Sequence, residues 1–203
     1  SSFDELNAEL AKPLTFTDHY LIRLLAGRMK EYRPEVVAIT VPFPGNLYSA
    51  LRCGEWIKVN YPEVTVAMGG GFANTELRSL PDVRFFRFTD YLLLDDGELP
   101  LWRLFEHVTG QIGDSDLVRA FCLRGGKVKF LNDESAVMIP QKEVGVPDYS
   151  GLLLDRYVSV IEIVNPMHKL WSDGRWNKLT LAHGCYWGRC SFCDGSLDYI
   201  RRY

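Results

Sequence analysis

Hydrophobic positions in the first half of the chain switch between a helical period and short continuous apolar runs. Leu21, Leu24, Leu25 and Met29 share one face of a helix that ends near Tyr32, ahead of Pro34, with Thr17 or Asp18 as its cap. Before it, Ser2 and Glu5 have capping-box spacing for a short helix closed by Pro13. The run "EVVAITVPF" at residues 35–43 predicts a buried strand of a parallel sheet covered on both sides. A turn at 42–46, a helix at 47–60 and a strand at 64–68 follow, the strand running into Gly69, Gly70 and Gly71. A short helix at 75–80, strand-like runs at 83–88 and 91–94, a loop at 95–98 and a helix at 99–109 complete the alternation.

This alternation predicts an α/β fold with a doubly wound, Rossmann-like parallel sheet. Such sheets bind ligands beyond the carboxyl ends of their strands. Three glycine-bearing loops fall at such ends, at 42–46, 69–74 and 95–98. The pattern opens with helices, which points to a strand upstream or to an unusual topology. From residue 118 the character changes. "VRAFCLRGGKVKFL" is two β-like runs around Gly125 and Gly126, a hairpin signal. The loop-rich stretch to 155 reads as a linker, and 158–164 and 178–182 read as short strands. The organisation expected is an α/β domain at 1–117, a hairpin and linker at 118–155, and the start of a further domain at 156–203.

Composition narrows the class. Of 203 residues, 47% are hydrophobic and 24% charged, which excludes disordered, collagen-like and coiled-coil chains. The length suffices to bury a core without disulfide staples. Lys and Arg number 23 against 26 Asp and Glu, a net charge of −3 that argues against a nucleic-acid binder. Trp171, Trp176 and Trp187 stand among lysines and arginines, but in an acidic chain they read as packing or cofactor cover. No apolar run approaches the roughly 18 residues of a membrane span, and the polar, acidic first nine residues do not read as a signal peptide. The five cysteines are Cys53, Cys122, Cys185, Cys190 and Cys193. The odd number, with three inside nine residues, points to a reducing, cytoplasmic compartment and a local metal or redox site.

The sharpest signal is "HGCYWGRCSFCD" at residues 183–194, with the spacing Cys185-x4-Cys190-x2-Cys193. Three soft thiolates in one glycine-bearing loop select zinc, cuprous copper or an iron–sulfur cluster. Zinc needs a fourth ligand, for which His183 and His168 are nearest. A plant-type 2Fe–2S cluster matches the spacing but needs a fourth cysteine, Cys53 or Cys122. A 4Fe–4S cluster held by three cysteines leaves one iron open to a chelating molecule such as S-adenosylmethionine. Outside the cluster, Cys53 and Cys122 read as structural thiols. Asp95, Asp96 and Glu98 could meet a hard cation, though a solvated loop or a contact with a cofactor amide fits them better.

The segment "GCYWGRCSFCD", following a strand, resembles the cluster loop of radical S-adenosylmethionine enzymes. The usual pattern there is C-x3-C-x-aromatic-C, and this chain has one extra residue between Cys185 and Cys190. The resemblance implies that Cys185, Cys190 and Cys193 hold a 4Fe–4S cluster and that Phe192 lies near the adenine of S-adenosylmethionine. Upstream, "VPFPGNLYSALRCGEWIK", "VAMGGGFANTELRSL" and "LLLDDGELPLWRLF" resemble the cobalamin-binding domain that precedes the barrel in one class of these enzymes. Carried over residue by residue, Pro42, Gly45 and Asn46, then Gly69, Gly70 and Gly71, then Asp96, Gly97 and Glu98 would face the cobalamin. The D-x-H-x-x-G motif that supplies a histidine to cobalt in other cobalamin proteins is absent, so a cobalamin here would lack that lower ligand. The activity implied is radical methyl transfer or rearrangement on a small molecule or peptide, with an electron donor such as flavodoxin or ferredoxin. A full barrel takes roughly 200 or more residues, and ten follow Cys193. The expectation is therefore a fragment without turnover of its own.

Overall fold

The computed structural model describes residues 3–79, 82–152, 184–191, 193–195 and 197–201. The chain divides into two compact units, Ser1–Met138 and Ile139–Tyr203.

The first unit is built on a five-stranded open sheet. Its strands are β1 (Val36–Thr40), β2 (Thr65–Gly69), β3 (Tyr91–Leu93), β4 (Ala120–Arg124) and β5 (Lys127–Leu131), in that spatial order. β1, β2 and β3 are parallel; β4 pairs antiparallel with β3, and β5 antiparallel with β4. The fold is thus α/β with a mixed sheet, compatible with a Rossmann-like architecture. The order runs without the reversal that a doubly wound sheet carries at its switch point, so the described strands contain no switch point. The hairpin extends this same sheet, and Gly125 and Gly126 take φ of 57° and 73°, the left-handed conformation that a tight hairpin turn requires.

Five helices surround the sheet: α1 (Asp4–Leu10), α2 (Phe16–Tyr32), α3 (Pro44–Asn60), α4 (Gly71–Glu76) and α5 (Glu98–Val108). Right-handed crossovers between parallel strands laid down in one direction return on one face. Accordingly Leu51 and Ile57 of α3 and Ala73 of α4 pack with Val66, Met68 and Leu92. On the other face, Leu104 of α5 packs with Ala67, Tyr91, Leu93, Ala120 and Cys122. β2 and β3 are therefore covered on both sides, as parallel strands require.

Several expectations are corrected. β1 is an edge strand and not a doubly covered one: Ala38 and Thr40 are exposed, because α5 does not reach over them. Residues 83–87 form a 3-10 turn (Val83–Arg87), not a strand. Asp82 caps it by accepting the Arg84 N–H at 2.9 Å, and Phe85 and Phe86 are both buried. The cap of α2 is Thr15, not Thr17 or Asp18. The Thr15 hydroxyl accepts from Asp18 N while Asp18 accepts from Thr15 N, a reciprocal capping box. The expected turn at 42–46 is instead the start of α3, with Pro44 in its first turn. The short helix expected at 75–80 lies earlier, at α4.

Arg52 docks the N-terminal helices. Its side chain is 3% exposed and donates to the carbonyls of Leu10 and Lys12 at the end of α1, at 2.6 and 3.2 Å, and to the Tyr48 hydroxyl.

In the second unit the described elements are a 3-10 turn (Gln141–Glu143) and a short helix, α6 (Asp198–Arg201). The strands expected at 158–164 and 178–182 lie outside the described residues, as do His168, Trp171, Trp176 and His183.

Candidate functional site

The carboxyl ends of β1, β2 and β3 bring the three glycine-bearing loops to one end of the sheet. The first two are stitched together by backbone. Val41 N donates to Gly69 O at 2.7 Å, and Phe72 N donates to Val41 O at 3.0 Å. The third is tied to α4 by Asn74, whose amide donates to Asp95 O at 3.2 Å while its carbonyl oxygen accepts from Asp95 N at 2.6 Å.

A cleft of about 110 Å³ opens here. Its floor is Ala38, Thr40, Ala67 and Gly69, which share one sheet face through the pairs Ala38–Ala67 and Thr40–Gly69. Gly97 and Leu101 stand at its side. The cleft exists because α5 covers β2 and β3 but leaves β1 bare, and because every floor residue is small.

The glycines and their neighbours sort into two groups. A Cβ on Gly69 would lie 3.1 Å from the Leu93 carbonyl oxygen, and one on Gly71 3.1 Å from the Pro42 carbonyl oxygen. Gly70 has φ of 105°, and a Cβ there would lie 2.9 Å from the Val41 carbonyl oxygen. Packing of the chain on itself accounts for these three. Gly45 and Gly97 differ, because nothing lies within 4 Å of a Cβ at either position. Both are exposed, as are Pro42, Asn46 and Glu98. Packing of the chain on itself therefore does not demand glycine at Gly45 or Gly97, whereas the triple glycine shapes the turn at the end of β2. The cleft is too small to enclose a large planar cofactor such as a corrin, which could only lie across the small floor residues and the exposed loops at this end.

Asp95 is not solvated. Its side chain is 6% exposed and accepts from Arg78 and, at 3.0 Å, from Arg119. With both oxygens committed to guanidinium groups, it is no ligand for a hard cation. Asp96 is half-buried beside it. Asn74, Arg78 and Arg119 organise this loop, and sequence reasoning passed over all three.

The thiol loop belongs to the second unit. Cys185 is half-buried, and Cys190 and Cys193 are exposed. Cys185 N donates to Ile200 O at 2.8 Å, which closes the loop onto α6. The Gly188 N–H points at Cys185 Sγ, 3.4 Å away, a turn made possible by φ of 57° at Gly188. Among the described residues no three His, Cys, Asp or Glu side chains converge as a metal-binding group. The donor set nonetheless fits a soft metal: three free thiols in one loop, two of them open to solvent and one receiving a backbone N–H. Phe192 lies outside the described residues.

The other two cysteines sit as structural thiols do. Cys122 is fully buried on β4, and Cys53 is half-buried on α3; burial pushes both thiols up. His107 closes the last turn of α5, with Nδ1 3.3 Å from Ile112 O and Nε2 3.4 Å from Asp114.

No family model matches the chain, and no curated protein matches it. No described helix is long and apolar enough to cross a membrane.

Proposed function

We propose that this chain carries the cluster loop and the cobalamin-binding domain of a radical S-adenosylmethionine enzyme, acting by radical methyl transfer or rearrangement. The observation that carries the reading is the thiol loop: Cys185, Cys190 and Cys193 are free thiols closely spaced in sequence, with Cys190 and Cys193 exposed and Cys185 half-buried. Cys185, Cys190 and Cys193 would hold a 4Fe–4S cluster, and the Gly188 N–H would orient the Cys185 sulfur, as outer-shell donors do for metal ligands. When bound, the cluster and S-adenosylmethionine supply radical chemistry and cobalamin supplies a methyl carrier. Phe192 would flank the adenosyl group.

In the first unit the bare face of β1, at its carboxyl end, would receive the cobalamin. Gly45 and Gly97 leave room for its edge, and Pro42, Asn46, Asp96 and Glu98 would contact its periphery. Gly69, Gly70 and Gly71 would act indirectly, by letting the loops pack close enough to keep the floor flat. A flavodoxin- or ferredoxin-type protein would supply electrons, and the substrate would be a small molecule or peptide.

The buried position of Cys122 disfavours a 2Fe–2S cluster recruiting that residue. The test is anaerobic reconstitution with iron and sulfide, metal analysis, and EPR of the reduced protein with and without S-adenosylmethionine. A cubane signal that changes on adding S-adenosylmethionine is expected. One zinc per chain without iron, or a 2Fe–2S signal, would sink the reading. Titration with hydroxocobalamin, followed by its visible absorbance, tests the first unit separately.

A further inference from the structure

Asp95 is the most constrained residue at the cleft. Its φ of 64° is left-handed, a conformation that costs a non-glycine residue energy and persists only where its surroundings impose it. Three residues impose it here. Asn74 clamps the backbone on both sides, through Asp95 N and Asp95 O. Arg78, following α4, and Arg119, preceding β4, take the carboxylate. Arg119 is itself left-handed, with φ of 49°, and its carbonyl accepts from Leu94 N at 3.0 Å. Three chain segments thus meet on one buried carboxylate. Gly97 lies two residues further on and caps α5.

From this we infer that Asp95 is a positioning residue of the cleft. Held between Arg78 and Arg119, it fixes the loop that presents Gly97 and the first turn of α5 beside the bare face of β1. The carboxylate does not touch the ligand, because its oxygens are spent on the two arginines. Its role is to keep the loop in the receptive state before anything binds. The inference rests on the cobalamin reading for the identity of the ligand, and on the geometry alone for the positioning. A loop that samples its receptive state a tenth of the time raises the apparent Kd about tenfold.

The experiment uses the full chain and two variants. Asp95→Asn keeps the shape but removes the charge. Asn74→Ala removes the backbone clamp and leaves no unpaired charge, so it decides the matter if Asp95→Asn does not fold. Two readouts are taken, the Kd for hydroxocobalamin and amide hydrogen exchange across residues 94–98. Folded variants are expected to exchange faster across 94–98 and to bind hydroxocobalamin about tenfold more weakly. Wild-type exchange rates together with wild-type Kd in the folded variants would overturn the inference. If the wild-type chain binds no hydroxocobalamin, the cobalamin reading falls, and the exchange rates alone decide whether Asp95 positions the loop.

Discussion

Gly70 and Val41 approach so closely that a Cβ at position 70 would stand 2.9 Å from the Val41 carbonyl oxygen. That carbonyl also accepts from Phe72 N, so it cannot retreat without breaking the stitch between the first two loops. With φ of 105° and ψ of −176°, Gly70 also occupies a region essentially closed to other residues. Gly70→Ala should therefore lower stability by about 1–3 kcal/mol or more. Gly97 has φ of −73° and ψ of −15° with open space around it, so at this N-cap position Gly97→Ala should change stability by less than about 1 kcal/mol, the poorer capping by alanine offsetting the entropy gain. Urea denaturation of the two variants checks the pair. Equal destabilisation would mean that Gly97 too is demanded by packing, which would remove the reason to place a ligand beside it.

Gly54 makes an even closer approach. A Cβ there would lie 2.0 Å from the Phe88 carbonyl oxygen and 3.0 Å from Met68 Cε. The obstacle is backbone, so α3 would have to lift from the sheet and expose part of the core around Leu51 and Ile57. Gly54→Ala should cost about 3 kcal/mol or more, at the upper end of overpacking. A fall in the urea midpoint larger than that of any cleft variant is the expected result.

Acid should act through Asp18. Burial by itself would raise its pKa, but hydrogen bonds from Thr15 and Tyr48 and the charge of Arg52 outweigh it, and the carboxyl sits below the usual range. A carboxyl whose pKa is lower in the folded than in the unfolded chain stabilises the fold above the unfolded value, about 3.9. That contribution is lost as pH falls through the folded value. Asp114, lowered chiefly by its hydrogen bonds to Arg124, acts in the same direction. Stability should thus be level near neutrality with respect to these groups and fall below about pH 4. Asp18→Asn should flatten part of that fall while lowering stability at pH 7, as urea titrations at several pH values would show.

Sequence patterns made the local features legible where one short-range rule decided them. The Gly125–Gly126 hairpin and the helices over 47–60 and 99–109 rest on turn chemistry and on amphipathic spacing. The edge position of β1 is not legible, because "VVAIT" reads alike at an edge or in the middle of a sheet, and strand order alone distinguishes the two. The aromatic run at 83–88 reads as a strand by propensity, yet Asp82 winds it into a 3-10 turn. At the site, the glycines were visible but their reasons were not. Only contacts across the fold separate Gly70, held against Val41, from Gly97, which faces open space. Arg78, Asp95 and Arg119 lie on three different segments, and no spacing rule joins them.

Thiol reactivity offers a direct reading of the second unit. Attack on a disulfide reagent requires a thiolate and access. Cys190 and Cys193 are exposed and should react with Ellman's reagent in the native chain. Cys122 is fully buried with its thiol pushed up by that burial, and Arg124 lowers it less than burial raises it. It should react only on unfolding. Cys53, half-buried and also pushed up, should be slow. Cys185 is half-buried and receives the Gly188 N–H at its sulfur, so it should fall between the fast pair and Cys53. Treatment with iron and sulfide should remove the fast phase together with the Cys185 phase and leave Cys53 and Cys122 as they were. Loss of only one phase, or protection of Cys53 or Cys122, would mean that the three thiols of the loop do not act as one ligand set. The same experiment with zinc shows whether a fourth ligand is a thiol: loss of the Cys53 or Cys122 phase as well would mean that zinc recruits that cysteine, and loss of the three loop phases alone would mean that it does not.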